Sequence, residues 1–495
     1  MRSSIHGLGL LWLVLVAALA PPARAQTPPA APSSLELAGP WGSHWRLEGS
    51  ERVRGEFWSY FDTAPDGPVP NSDYSFLGNR LQLGLHVTRD PFEAFVQLQD
   101  SLVWPVPEKA AGPGGQYWFN SKHSDPLTSA IFRQGWFRWR DTLAVPGLST
   151  TLGRQLYRDG LETAAKDPTL AWLQRSRIAE RLIGPFDYTH VGRSFDGGQV
   201  AWERDLLNVT AMGFVPTAGG YEIDANREIP NIALAGLALN LRETPIVPRT
   251  IGRLFYLYYD DHRPIAVVDN RPLAVREAQK GEGLAIQTIG ADAAHVEPLG
   301  PGRADALAWG ALQYGDWQAQ KHSAWAFALE AGYQLPDVVL RPWLRVGANL
   351  ASGDTDPNDD THGTFFQLLP TARTYAQFPF FNMMNDTDLF GQLLLQPHPM
   401  VGIRSDFHWL RLTSSRDFLY AGGGATSQHA FGYSGTPSGG RNDVAFLSDV
   451  GLTFTPCTWF TAYAYYGHAF GQEVIRQAFV SPGADYGYVE MTFSF

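Results

Sequence analysis

The stretch Tyr488-Val-Glu-Met-Thr-Phe-Ser-Phe495 (YVEMTFSF) decides the fold. Tyr488, Glu490, Thr492 and Ser494 make a polar face, and Val489, Met491, Phe493 and Phe495 an apolar one. A period of two marks a strand whose two faces meet different surroundings. The pattern recurs on moving outward from the end. In 80–88, Leu81, Leu83, Leu85 and Val87 oppose Arg80, Gln82, Gly84, His86 and Thr88. In 340–350, Leu340, Pro342, Leu344, Val346, Ala348 and Leu350 alternate with Arg341, Trp343, Arg345, Gly347 and Asn349. In 325–333, Trp325, Phe327, Leu329, Ala331 and Tyr333 oppose Ala326, Ala328, Glu330 and Gly332. Arg52, Arg54 and Glu56 share one face of the first expected strand.

The solvent on the apolar faces follows from composition and export. The 495 residues are 44% hydrophobic, 13% aromatic and 18% charged, below the usual quarter charged. One cysteine excludes an internal disulfide and a cysteine-based zinc or iron–sulfur site. A net charge of −11 argues against a nucleic-acid partner, and the aromatic content against disorder. Arg2, the apolar run 8–20 and Ala23-Arg24-Ala25 predict a cleaved signal peptide over 1–25. That run is shorter than the ~20 residues of a spanning helix, and the longest later apolar stretch, 232–241, is about half that. An exported chain of this kind is soluble or spans as a closed barrel, because lipid tolerates no unpaired backbone. A final alternating strand ending on an aromatic residue resembles the C-terminal signal of bacterial outer-membrane barrels. A soluble sandwich is the competing reading, disfavoured by length and by the absence of a composition break. The expectation is therefore all-β: a single transmembrane antiparallel β-barrel of about 18 strands over 46–495, after a periplasmic lead-in at 26–45. Apolar faces would meet lipid, Trp and Tyr would form two girdles, and polar faces would line an aqueous channel.

Arg80, Arg341 and Arg345 then face the lumen, with Arg52 and Arg54, and with Arg154, Arg193 and Arg404 as companions. Planar guanidiniums pair with carboxylates, so such a lining selects anions despite the net negative charge. For any single arginine, a structural Arg–acid ladder competes with that reading. The order and spacing of several motifs carry a family resemblance. These are Arg52-x-Arg54-x-Glu56, Gly153-Arg154-Gln155, Arg193-Ser-Phe-Asp196-Gly197, Ala351-Ser352-Gly353-Asp354, Gly363-Thr364-Phe365, Phe366-Gln-Leu-Leu-Pro370-Thr and Tyr420-Ala421-Gly422-Gly423-Gly424-Ala425. From about Arg52 to Phe495 the chain resembles the alginate export family of outer-membrane porins. The resemblance implies a monomeric 18-stranded barrel with an electropositive constriction that exports an anionic polysaccharide. Its partners would be outer-membrane lipid, lipopolysaccharide, the polymer and periplasmic secretion components.

Other readings stand beside this one. A general or uptake porin for small anions fits the same arginines. A barrel enzyme is a remote alternative, since no H-E-x-x-H or G-x-S-x-G motif is present. No cofactor is expected. Asp354-x-Asp356-x-Asn358 mimics the start of a calcium loop, but Asp359 and Phe365 stand where Gly and Glu are needed, so a solvated turn is favoured over loop calcium. Candidate gating segments are 105–130, 262–283 and 356–400, which lack sustained alternation.

Overall fold

The computed structural model describes residues 34–495, apart from 65, 66, 68, 122 and 372–375. The expected signal peptide lies outside the described residues. Eighteen antiparallel strands close a barrel. They are β1 (His44–Ser59), β2 (Asp73–Arg89), β3 (Phe92–Trp104), β4 (Leu127–Arg140), β5 (Leu148–Gln155), β6 (Phe195–Glu203), β7 (Leu207–Pro216), β8 (Ile232–Leu241) and β9 (Thr250–Asp261). The second half holds β10 (Leu284–Leu299), β11 (Gly302–Trp317), β12 (Gln320–Gln334), β13 (Trp343–Ala351), β14 (Asp386–His398), β15 (Val401–Leu412), β16 (Asp443–Cys457), β17 (Phe460–Gly471) and β18 (Gly483–Ser494). Each strand pairs with its neighbours in sequence, and β1 pairs with β18 to close the wall, from Ser50 opposite Ser494 to Ser59 opposite Asp485. A short strand, Leu35–Ala38, folds back on the start of β1, so part of the lead-in is ordered against the wall.

The connections differ by end. Turns at 90–91, 204–206, 300–301, 399–400 and 458–459 are tight, and 141–147, 242–249 and 335–342 are short. The opposite end carries the long connections 105–126, 156–194, 262–283, 352–385 and 413–442. Barrels of the outer membrane keep short turns in the periplasm and long loops outside. The wall obeys the alternation read from the sequence in β2, β12 and β18. Leu83, Phe327, Leu329 and Val489 are exposed on the outer face, while Gly84, Ala328 and Tyr488 are buried inside. Outward aromatics collect at strand ends, with Trp104 and Tyr314 at the loop end and Trp139, Trp202 and Phe493 at the turn end. Such rings suit the two membrane interfaces.

Two expectations are corrected. The alternation read over 340–350 starts too early: β13 begins at Trp343, and Leu340 and Arg341 adopt left-handed backbone (φ 70° and 45°) in the turn before it. The lumen wall is also not uniformly polar. From β9 to β12 the inward side chains include Phe255, Leu257, Tyr259, Ile286, Trp309, Ala326 and Ala328, all buried. They pack against Phe365, Phe366, Leu368 and Leu369 of the 352–385 connection, which folds into the barrel. Each such ring removed from water contributes about 1.5–3 kcal/mol. Part of the lumen is thus a hydrophobic core, which continues to Trp58, Phe76 and Tyr486 on β1, β2 and β18 and leaves polar space only between its packed rings.

Candidate functional site

The connection 156–194 crosses the lumen and is tied at both walls. Asp167 caps the helix α1 (Pro168–Leu173) by accepting from the amides of Thr169 and Leu170, with Pro168 at its first turn. The chain then widens into a π-type turn, Gln174–Ile178, which turns Arg175 outward and buries Arg177. Arg177 donates to both oxygens of Glu330 (2.9 and 2.8 Å), and Arg181 joins the same carboxylate (3.3 Å).

At the other wall the anchor is Asp187. Its carboxylate accepts from Arg133 (2.6 Å) and Arg158 (2.5 Å) and lies 3.5 Å from Arg80. Its carbonyl accepts from Arg52 (2.9 Å) and Arg80 (3.0 Å). Arg52 also donates to the carbonyl of Thr189 (2.6 Å), and Arg54 donates to that of Tyr188. Arg133 reaches Asp187 from the inward face of β4 that it shares with Leu127, Ser129 and Ile131, at a bulge in the strand. Phe132 stands opposite Leu98 and Gln134 opposite Gln97, so Arg133 has no partner across the ladder, and it is fully buried. Burial would raise the pKa of Asp187, but the guanidiniums of Arg133, Arg158, Arg80 and Arg52 override it and hold the carboxyl well below its ordinary range. His190 follows, its Nε2 3.0 Å from Glu56 and its ring fully buried. Burial, then the nearby Arg54 charge, pushes it down to about 3, so it stays neutral.

Between this loop and β1, β15 and β18 a polar cleft of about 350 Å³ remains open. It is lined by Arg52, Arg54, Arg175 and Arg404, by Glu180 and Glu490, and by the rings of Tyr188 and Tyr488. Four guanidiniums and two carboxylates line it, with Glu56 behind Arg54 (3.0 Å) and Asp406 behind Arg404. Glu490 sits 3.3 Å from Arg54 and 3.7 Å from Arg52, and Glu180 pairs with Arg158. Arg404 donates to Asp406 (2.6 Å). Arg175 is exposed and forms no ion pair among the described residues.

The structure therefore brings Arg52, Arg54 and Arg404 to one cleft, with Arg80 behind them on Asp187. It places the other sequence candidates elsewhere. Arg345 is sealed between Asp305 and Glu330 (2.8 Å each) and is fully buried. Arg193 donates to the carbonyl of Gly423 (2.5 Å) under the ring of Phe186 and fastens two connections together. Arg154 and Asp196 form a two-pronged pair (2.7 and 2.6 Å) on the outward face they share with Leu152 and Val200, not in the lumen. Arg341 lies in the periplasmic turn, where its guanidinium donates to Gln396 (3.4 Å). Asp354 accepts from the amides of Asp356 (2.8 Å) and Gly363 (3.0 Å), and Asp356 from Asn358 (3.1 Å), so these oxygens fold the acidic loop on itself. Of the candidate gating segments, 386–398 is wall strand β14. The preceding part of that segment, 356–385, folds into the barrel as a long loop could, and the lumen is crossed as well by 156–194, where sequence periodicity gives no signal. Arg133, Arg158, Arg175 and Asp187 were missed for that reason, or because a bulge breaks the count.

Comparison with known proteins bears on this geometry. The alginate export family model matches residues 46–484. The chain belongs to the alginate export family. A BenF-like porin from Pseudomonas fluorescens Pf-5 shares the fold with TM-score 0.58 at 9% identity, covering 91% of this chain and 98% of that one. OccAB2 of Acinetobacter baumannii gives 0.57 at 9% identity with the same coverage. OccK2 (OpdF) of Pseudomonas aeruginosa, solved in complex with glucuronate, gives 0.54 at 9% identity, again with 91% and 98% covered. No curated protein sequence matches the chain. Family and fold make this protein an outer-membrane β-barrel channel of a Gram-negative envelope, a channel rather than an enzyme, whose outer face contacts lipid.

Proposed function

We propose that the channel exports an anionic polysaccharide of the uronate class, such as alginate, through the arginine-lined cleft between 156–194 and β1, β15 and β18. The observation that carries this reading is the cleft itself. Arg52, Arg54, Arg175 and Arg404 supply positive charge along one side, with the half-buried Tyr188 and the buried Tyr488 beside them. Guanidinium forks match carboxylates spaced along a polymer. Because most of these arginines are already paired, each holds a passing carboxylate weakly, which suits transit better than capture. Membership of the alginate export family supports the substrate class.

A second reading, uptake of small anions, is favoured by the narrow cleft and by the glucuronate-bound neighbour. Planar-bilayer recording tests the cleft. Wild-type channels should prefer anions over cations, and Arg175→Ala with Arg404→Ala should lower that preference severalfold. Long polyuronate added on the periplasmic side should block the current at lower concentration than monomeric glucuronate. A deletion strain separates the two readings: unchanged polymer secretion, with slower growth on a small anion, would favour uptake.

A further inference from the structure

On the lumen wall beside the cleft, β15 and β16 place Asp406 directly opposite Asp449. Like charges across a ladder repel. Arg404 and Gln392 (2.8 Å) donate to Asp406, but among the described residues the Asp449 carboxylate has only the neutral hydroxyl of Tyr465 (3.0 Å) as a donor. His408 stands two residues on along the same face. A ring nitrogen of His408 and one carboxylate oxygen from each aspartate lie within 4.8 Å of one another. All three side chains are at least nine-tenths buried. The Nδ1 of His408 is committed to Asp388, at 2.9 and 3.0 Å from its two oxygens. Nε2 is buried without a hydrogen-bond partner. An imidazole held by a carboxylate through one nitrogen, with the other unspent, is the arrangement that orients a metal-binding histidine. The surrounding charges agree. Asp386, Asp388, Asp406 and Asp449 are all buried here, and Arg404, on Asp406, is the one arginine paired with them among the described residues.

We propose that Asp406, His408 and Asp449 form a site for a divalent transition-metal cation of the zinc class. One imidazole and two carboxylates suit such an ion better than calcium or magnesium, which favour all-oxygen shells. The ion neutralises the opposed aspartates and gives Nε2 a partner. It also takes from Asp406 lone pairs that now hold Arg404, leaving that guanidinium to the cleft. The inference stands on the wall residues alone, whatever solute the channel passes.

The test uses the full-length folded barrel in detergent, stripped with chelator, with folding checked by heat-modifiable gel mobility. Cobalt(II) is titrated in and followed by visible absorption, and zinc is titrated by calorimetry. One saturable site per chain is expected, lost in Asp449→Asn and weakened about 10–100-fold in Asp388→Asn, which removes the carboxylate that orients His408. His86→Ala, which removes a histidine far from the cluster, should bind as wild type does. In bilayers, zinc should shift wild-type reversal potentials toward anion preference and leave Asp449→Asn channels unmoved. Absence of saturable binding in the folded wild type, binding equal in Asp449→Asn, or a site that takes calcium in preference to zinc would each overturn the proposal.

Discussion

Asp187 is the residue on which the lumen loop depends. One carboxylate satisfies three guanidiniums, and one of them, Arg133, has no exposure at all. Removing one partner of a buried pair leaves a desolvated charge and typically costs about 3–5 kcal/mol. Asp187→Asn should therefore loosen 156–194. Single-channel conductance should rise and become noisier, and limited proteolysis should cut the loop at lower protease. An unchanged current would remove Asp187 from this role. His190 supplies a pH dependence. Its folded value of about 3 lies below the ordinary ~6.5, so the unfolded chain takes up a proton that the folded one refuses. Stability is thus lost as pH falls from about 6.5 toward 3. The thermal midpoint should drop over that window, and His190→Gln should flatten the drop.

At the scale of elements, strands and loops were unequally legible in the sequence. β2, β12 and β18 were readable because lipid on one side and side chains on the other impose a strict period of two. Over 340–342 the same pattern ran by accident into the turn before β13, and alternation alone cannot register the left-handed backbone at Leu340 and Arg341. The inward faces of β9 to β12 were misjudged because the lumen there holds packed protein, not water. The cleft was half legible: Arg52, Arg54 and Arg404 sit on strands, whereas Arg175 and Asp187 sit on a loop whose path is set by tertiary contacts. Two predictions belong here. Gly78 of β2 faces inward, and a Cβ at that position would stand 1.8 Å from the ring of His190. Backbone freedom is not the issue, only space. Gly78→Ala should displace His190 and reproduce the conductance change of Asp187→Asn. Leu329 is 60% exposed on the lipid face of β12. Leu329→Arg should destabilise the folded barrel by about 2–4 kcal/mol if it sits near the bilayer midplane, measured by reversible unfolding in lipid. Gln82→Arg, on the inward face of β2, should be nearly neutral by the same measurement.

For the whole molecule, the aromatic content divides between two solvents. Rings at the strand ends meet the membrane interfaces, and a second set around Phe366, Phe378, Phe381 and Trp309 fills part of the barrel interior. The passage is what the second set leaves over, so its width is a property of packing and not of strand number. Phe366→Ala should remove about 3–5 kcal/mol of stability and widen conductance together. A variant that loses stability with unchanged current would separate plug from passage. The join between β1 and β18 has a consequence of another kind. All the other wall contacts form between neighbours in sequence, but here Gly49 exchanges hydrogen bonds with Phe495 (3.1 and 3.0 Å), nearly the full chain away. During biogenesis the first and penultimate strands must wait with bare edges, open to mispairing with other chains, until the last segment arrives. Assembly therefore has a fixed final act, and a chaperone guarding those two edges would guard the whole process. A permuted chain, opened at 300–301 and linked across the native ends, would shift that vulnerable interval to a different pair of strands while leaving the finished cylinder the same.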